Sequence, residues 1–313
     1  MAAGEPTRQF LRPALARGLL FLESDSVLGP TLFMPSVLYL LALVGFPLVL
    51  VFLYAFSDIT TGNPSLHLVG LSTFAAAIRD PVFLVSLRNT FVITFISQAL
   101  VVVFSLVLAF ALSAEFPGRW LVRLLILLPW TTPIALSAVM WLWMLDAQFS
   151  PFDWVLSHLH VIQPGTYVAW FGDSRIAIGS IIALQTWRFL PLATVILMAG
   201  LTSIPQDVKE QAEVDGAGFW RRLFHIILPL LTPIGMVAVL FGIVATFTDM
   251  AAVYILTSGG PDNSTQVLAS WAFFKGINSG NLGQGAAVAL FMFPVLLAIS
   301  VVMLRTASRA EIA

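Results

Sequence analysis

Six stretches of this chain run apolar for about twenty residues or more, and that pattern excludes most folds before any motif is considered. They cover 31–56, 89–113, 121–145, 176–201, 229–257 and 284–304. Inside a bilayer only helices and closed barrels pair all their backbone groups, and these runs are too long and continuous for barrel strands. Composition agrees. Charged residues make up 10% of the 313, against roughly 25% in soluble domains. So few charges cannot cover a surface that faces water. The expected fold is an all-α integral membrane domain of six transmembrane helices over residues 29–305. An interfacial segment, 1–28, precedes it and a short tail, 306–313, follows.

Arg8, Arg12 and Arg17 precede Leu19-Leu20-Phe21-Leu22, but that apolar core is too short for a signal peptide, and Glu23, Ser24 and Asp25 end it. Residues 10–22 read instead as an amphipathic helix lying on the inner face. The cations set the orientation. With the N-terminus inside, the inner segments hold Arg8, Arg12, Arg17, Arg119, Arg123, Lys209, Arg221, Arg222, Arg305 and Arg309. The outer segments hold only Arg79, Arg88, Arg175 and Lys275. Positive charge gathers on the cytoplasmic side, so both termini are expected there, in a multi-pass protein of the cytoplasmic (inner) membrane. Membrane lipid is the first partner implied. A net charge of −1 argues against nucleic acid. With no cysteine, disulfides and thiol chemistry are excluded. His158 and His160 lack an evident third ligand, so no metal site is expected.

The outer loops are then 57–88, 146–175 and 258–283, and the inner ones 114–120 and 202–228. A short helix is expected after Ser150-Pro151, since proline suits a first helical turn. Pro129 and Pro133 in the third span and Pro191 in the fourth should kink their helices.

The inner loop 202–228 is long and built to fold. Ser203 and Gln206 have capping-box spacing, and a helix follows through Asp207 to Val214. Asp215-Gly216 signals a turn. A second helix, Ala217 to Ile227, precedes Pro229 at the start of the fifth span. Such an elbow suits docking into a cleft of another protein and passing a rigid-body push into the membrane. Resting on lipid headgroups is the other physical reading.

The residues also carry a resemblance. Glu210-Gln211-Ala212, then Gly216 after three residues, then Ile226-Ile227-Leu228-Pro229 after nine more, resembles the EAA signature of binding-protein-dependent ABC permeases. Asp215-Gly216-Ala217 matches the extended form of the sugar branch, while Gln211 replaces the first alanine. Thr257-Ser258-Gly259-Gly260-Pro261, followed by Asn263-Ser264-Thr265, is similar to the T-x-GGP segment of the maltose-type branch. With the span layout, the resemblance covers most of residues 85–305. It implies the type I permease fold of an ABC importer for a sugar or sugar-like solute. Glu210, Ala212, Asp215, Gly216 and Ala217 would then belong to a coupling helix seated on an ATPase subunit. The chain has no G-x-x-x-x-G-K-[ST] and no Gly-Lys pair, so ATP and Mg would be bound by a separate ATPase dimer and the chain itself would be no enzyme. A second homologous permease and an extracytoplasmic solute-binding protein are implied too. Residues 258–283 would contact that protein or the pore mouth, with Phe273, Phe274 and Lys275 on the exposed part.

Ionisable groups inside a membrane cost about 2.5–3.5 kcal/mol on insertion scales and face a partner or a wet cavity. Arg188 lies deep in the fourth span with Gln185 one turn away; Asp249 lies in the fifth with Thr246 three residues earlier. These four are the candidate solute-binding residues, since the family's solute sits between the spans flanking the EAA loop. Fixing helix packing is the competing role. Counted along straight axes, Arg188 and Asp249 differ in height by roughly 9 Å, which argues against a direct pair. An ion-coupled secondary transporter would show an internal repeat, and an intramembrane hydrolase a nucleophile–base pair. Neither is evident.

Overall fold

The computed structural model describes residues 25–312, with side chains from 30 to 308. The interfacial helix expected at 10–22 lies outside the described residues. Each apolar run folds as helix, and the departures from straight spans occur where proline, threonine and aspartate interrupt the runs.

The first unit ends at Leu53. That boundary falls within helix α1, which runs from Asp25–Leu40 through a π-turn, Leu41–Gly45, into Phe46–Ala55. Phe46 donates its N–H to the Leu41 carbonyl, one residue further back than in an α-helix. Pro47 follows at once, and its ring would press on the carbonyl four residues back. The widened turn makes room.

In the second unit, α2 (Ser72–Arg79) leads into α3 (Pro81–Ser113), capped by the Asp80 carboxylate on the Val82 N–H. The third apolar run is not one helix. It divides into α4 (Arg119–Thr131) and α5 (Ile134–Met144), bent by 99°. Thr132 is extended (φ −77°, ψ 131°), because a residue before proline is kept out of the helical region. By length and composition the described residues hold five candidate spans, or six if this bent pair counts as one.

The short helix α6 (Pro151–His158) forms where expected, with the Ser150 hydroxyl accepting from the Asp153 N–H. Asp153 was not singled out by sequence. Buried, it accepts from the indole N–H of Trp170 (2.9 Å) and the Val168 N–H (3.2 Å), which folds the rest of this loop back. Next come α7 (Ser174–Ser203), α8 (Gln206–Val214) and α9 (Phe219–Phe247). After these lie α10 (Ala251–Thr257), α11 (Leu268–Phe273, continued by a π-turn Phe274–Asn278) and α12 (Leu282–Ile312). The last helix runs on through most of the segment expected as a tail.

Packing fixes the directions. Ile93 clusters with Ile181 and Leu184, Val101 with Phe189 and Ala193, and Ala109 with Leu197 and Leu201. Both residue series ascend together, so α3 and α7 run parallel. Leu231, early in α9, meets Leu201 and Ala109, while Phe247, at its end, meets Phe83. Thus α9 is antiparallel to both. The ends of α3 and α7 and the start of α9 therefore share one end of the bundle, where α8 sits.

Candidate functional site

At that end, α8 is amphipathic in a useful sense. Val208 packs on the core of α3, α7 and α9, Ala212 is buried, and the Lys209 ammonium donates to the Leu201 carbonyl. Asp207, Glu210, Gln211, Val214 and Asp215 line the outward side around a shallow hollow. Val214 is 87% exposed, far more than an apolar side chain needs at a free helix end. The turn after α8 satisfies two of the carbonyls that the helix terminus leaves open. Gly216 (φ 75°) donates to the Glu213 carbonyl and Ala217 to the Ala212 carbonyl, the paired bonds of a Schellman motif. Glycine is required there by its positive φ.

Two expectations for this loop change. The capping box does not form: the Ser203 hydroxyl donates to the Gly200 carbonyl and closes α7, and α8 starts at Pro205 without a side-chain cap. Nor is the second helix of the elbow separate from the span. Phe219–Phe247 is one helix of 29 residues, longer than the ~20 needed to cross hydrocarbon. A π-turn, Leu223–Ile227, spreads the chain just before Pro229, the same device as at Pro47. The elbow is thus the projecting end of the membrane helix itself, tied to α8 by an Arg222–Glu213 ion pair.

Higher in the bundle the four candidate solute residues separate into two linked groups. Arg188 and Asp249 do meet, with Nη1 and Oδ2 3.0 Å apart. The straight-axis count fails because the fifth span breaks. It ends at Phe247, and residues 248–250 leave the helix before α10 begins. Threonine and aspartate side chains compete for backbone groups in this way: the Thr248 hydroxyl donates to the Val244 carbonyl, and Asp249 Oδ1 accepts from the Ala251 N–H (2.8 Å). The same carboxylate's Oδ2 also accepts from Gln185 Nε2 (2.9 Å). Asp249 is therefore saturated, while Arg188 has spent one of the five N–H donors a guanidinium carries. Its side chain keeps 20% exposure.

Thr246 instead accepts from Gln98 Nε2 of α3 (3.1 Å). Sequence reading missed Gln98, although a buried glutamine in an apolar run is itself the signal. Gly242 leaves the space its carboxamide occupies; a Cβ there would strike the Gln98 side chain. We expect Gly242→Ala to cost about 1–3 kcal/mol through this overpacking, seen as a lower melting temperature, with Gln98→Ala/Gly242→Ala recovering part of it. An unchanged melt in the single variant would contradict the geometry. Below Gln98 lies a cavity of about 340 Å³ lined mainly by apolar residues of α3, α7 and α9, among them Val101, Leu197, Leu231 and Met236.

The segment 257–268 closes the opposite end. Gly259 has φ 84°, the Thr257 and Thr265 hydroxyls are 2.8 Å apart, and Thr265 Oγ1 donates to the Gly260 carbonyl. Asn89 Nδ2 donates to the Ser264 and Gln266 carbonyls, which pins this turn to α3. Of the three residues expected on its exposed part, only Phe274 is exposed. Lys275 is paired with Asp80 (2.9 Å) over the Trp271 ring, and Phe273 packs edge-on against Tyr254. Among the described residues no three His, Cys, Asp or Glu side chains gather as a metal site would.

The family described as the inner membrane component of binding-protein-dependent transport systems matches residues 101–311. The chain belongs to this family. It is therefore a multi-pass permease component, and the EAA-like spacing read from sequence falls on α8 and the start of α9. The trehalose/maltose transport system permease protein MalF of Thermococcus litoralis is 30% identical over 90% of this chain and 94% of its own. The sulfoquinovosyl glycerol transport system permease protein SmoG of Agrobacterium fabrum is 30% identical over 90% of each. In fold, the permease is similar to a chain of a bacterial ABC transporter involved in import of the acidic polysaccharide alginate. The TM-score is 0.77 at 18% identity, covering 94% of this chain and 99% of that one. This is the permease fold of an ABC importer.

Proposed function

We propose that this permease moves a sugar or sugar-like solute across the cytoplasmic membrane, driven by a separate ATPase dimer that seats against α8. The supporting observation is the build of α8: its inner face is fixed to α3, α7 and α9, while its outer face presents Asp207, Glu210, Gln211, Val214 and Asp215, exposed among the described residues. A helix so anchored transmits displacement to α7, which carries Arg188, and to α9, whose end leads directly into the break that carries Asp249. The α8 end is then cytoplasmic, in line with the Lys and Arg distribution. A second homologous permease completes the pore, and an extracytoplasmic binding protein delivers solute to the opposite end.

Sugar as the cargo is supported by the names of the two relatives and by the donors available at mid-membrane. Arg188 keeps free N–H groups, and the helix break at 248–250 is a polar interruption in an apolar wall. Broken helices mark solute sites in other transporters. Gln185, Arg188, Thr246 and Asp249, with Gln98 added, form our candidate solute site, in which Arg188 donates to solute and Asp249, its oxygens already engaged, holds Arg188 in place. The apolar cavity beneath them offers a hydroxylated solute little.

Purification of the tagged chain from its native membrane tests the assembly. An ATPase and a second permease should come with it in near-constant ratio, and the complex in proteoliposomes should accumulate a sugar only with ATP and binding protein present. A chain that purifies alone and drives uptake from an ion gradient would overturn the proposal.

A further inference from the structure

At the end of the bundle away from α8, the first turns of α3 and α7 and the turn 262–264 enclose a pocket of about 480 Å³. That is the size range of pockets that hold small ligands. Its lining includes Arg88, Arg175, Asn89, Asp262 and Ser264. The carboxylates closest in sequence are already engaged. Asp80 caps α3 and pairs with Lys275, and Asp173 caps α7 through the Arg175 and Ile176 N–H groups. Arg88 and Arg175, by contrast, take part in no side-chain hydrogen bond or ion pair among the described residues, and both are exposed.

The floor is rigid, since the Asn89 amide holds the carbonyls of Ser264 and Gln266. Two guanidiniums against the one Asp262 carboxylate leave a single positive charge among the lining groups. Guanidinium forks match the planar oxyanions of carboxylates and the oxygens of sulfonates and phosphates. Asp262, an acceptor only when ionised, suits hydroxyl groups on the same ligand and disfavours a second negative charge.

We propose that this pocket binds a small hydroxylated monoanion, a sugar acid in chemical class, through Arg88 and Arg175. The site is separate from the mid-membrane contacts, so its failure would leave the transport reading standing.

The test uses the assembled complex in lipid nanodiscs without binding protein, observed by saturation-transfer NMR. The probes are glucuronate, galacturonate and gluconate, with glucose as the neutral control. At least one acid should bind about tenfold or more tighter than glucose, as loss of one charge-assisted pair implies. Arg88→Gln/Arg175→Gln should abolish that preference. Arg88→Lys/Arg175→Lys, which keeps the charge, should retain most of it, and this second variant preserves the test if the first does not fold. Asp262→Asn should tighten acid binding by several-fold. Equal binding of acids and glucose, or acid binding indifferent to the arginine variants, would overturn the site. So would an effect confined to docking of the binding protein, since the pocket would then serve a protein side chain.

Discussion

Replacing Arg188 with alanine is expected to end solute uptake and to lower the melting temperature of the complex, and neutralising its partner as well is expected to restore only the second. The Asp249 side chain is 9% exposed. Without the guanidinium its charge would rest on Gln185 and backbone N–H groups alone. Removing one member of a buried ion pair costs about 3–5 kcal/mol, whereas removing both charges is often neutral. Arg188→Gln/Asp249→Asn should therefore melt close to wild type. Uptake by proteoliposomes should stay at background in both variants if, as proposed, the free donors of Arg188 are the ones offered to solute. Basal ATPase activity should survive. A double variant that melts normally and transports at the wild-type rate would reduce the pair to a packing device and remove the mid-membrane site.

That experiment matters because the pair is where sequence reasoning both succeeded and failed. The cost of charge in hydrocarbon marked Arg188 and Asp249 correctly as partners of something. Helical arithmetic then set them apart, since 229–257 is apolar enough as a whole to read as one span, and the polar step Thr248-Asp249 does not by itself announce a break. The break is decided by local hydrogen bonds of Thr248 and Asp249, which compete with the helix only once α10 has a place to pack. The bend at Thr132-Pro133 differs: proline announced a kink, but not one of 99°. Positions set by one residue's backbone preference, such as Gly216 or the helix after Ser150, were legible. Those needing a distant partner were not. Gln98 finds Thr246 across 148 positions of chain, and Asp153 finds Trp170 across a loop without periodicity.

Glu210→Lys should break the link between ATP hydrolysis and transport while leaving the permease folded and its affinity for the binding protein unchanged. Glu210 is exposed and pairs with no cation among the described residues. A surface substitution of this kind changes fold stability by about 0.5 kcal/mol or less. Against a seated partner the same reversal is costly: losing a buried interfacial charge pair takes about 2–5 kcal/mol, or roughly 30-fold and more in affinity. Solute moved per ATP should fall to background. Gly216→Pro should give the same phenotype by another route, since proline cannot hold φ 75° and lacks the N–H that binds the Glu213 carbonyl. The two variants part company under compensation. A matching acid-for-base exchange in the ATPase groove should restore transport to Glu210→Lys and do nothing for Gly216→Pro, because one defect is in charge and the other in the backbone that aims it. Unimpaired transport by both single variants would leave α8 without a coupling role.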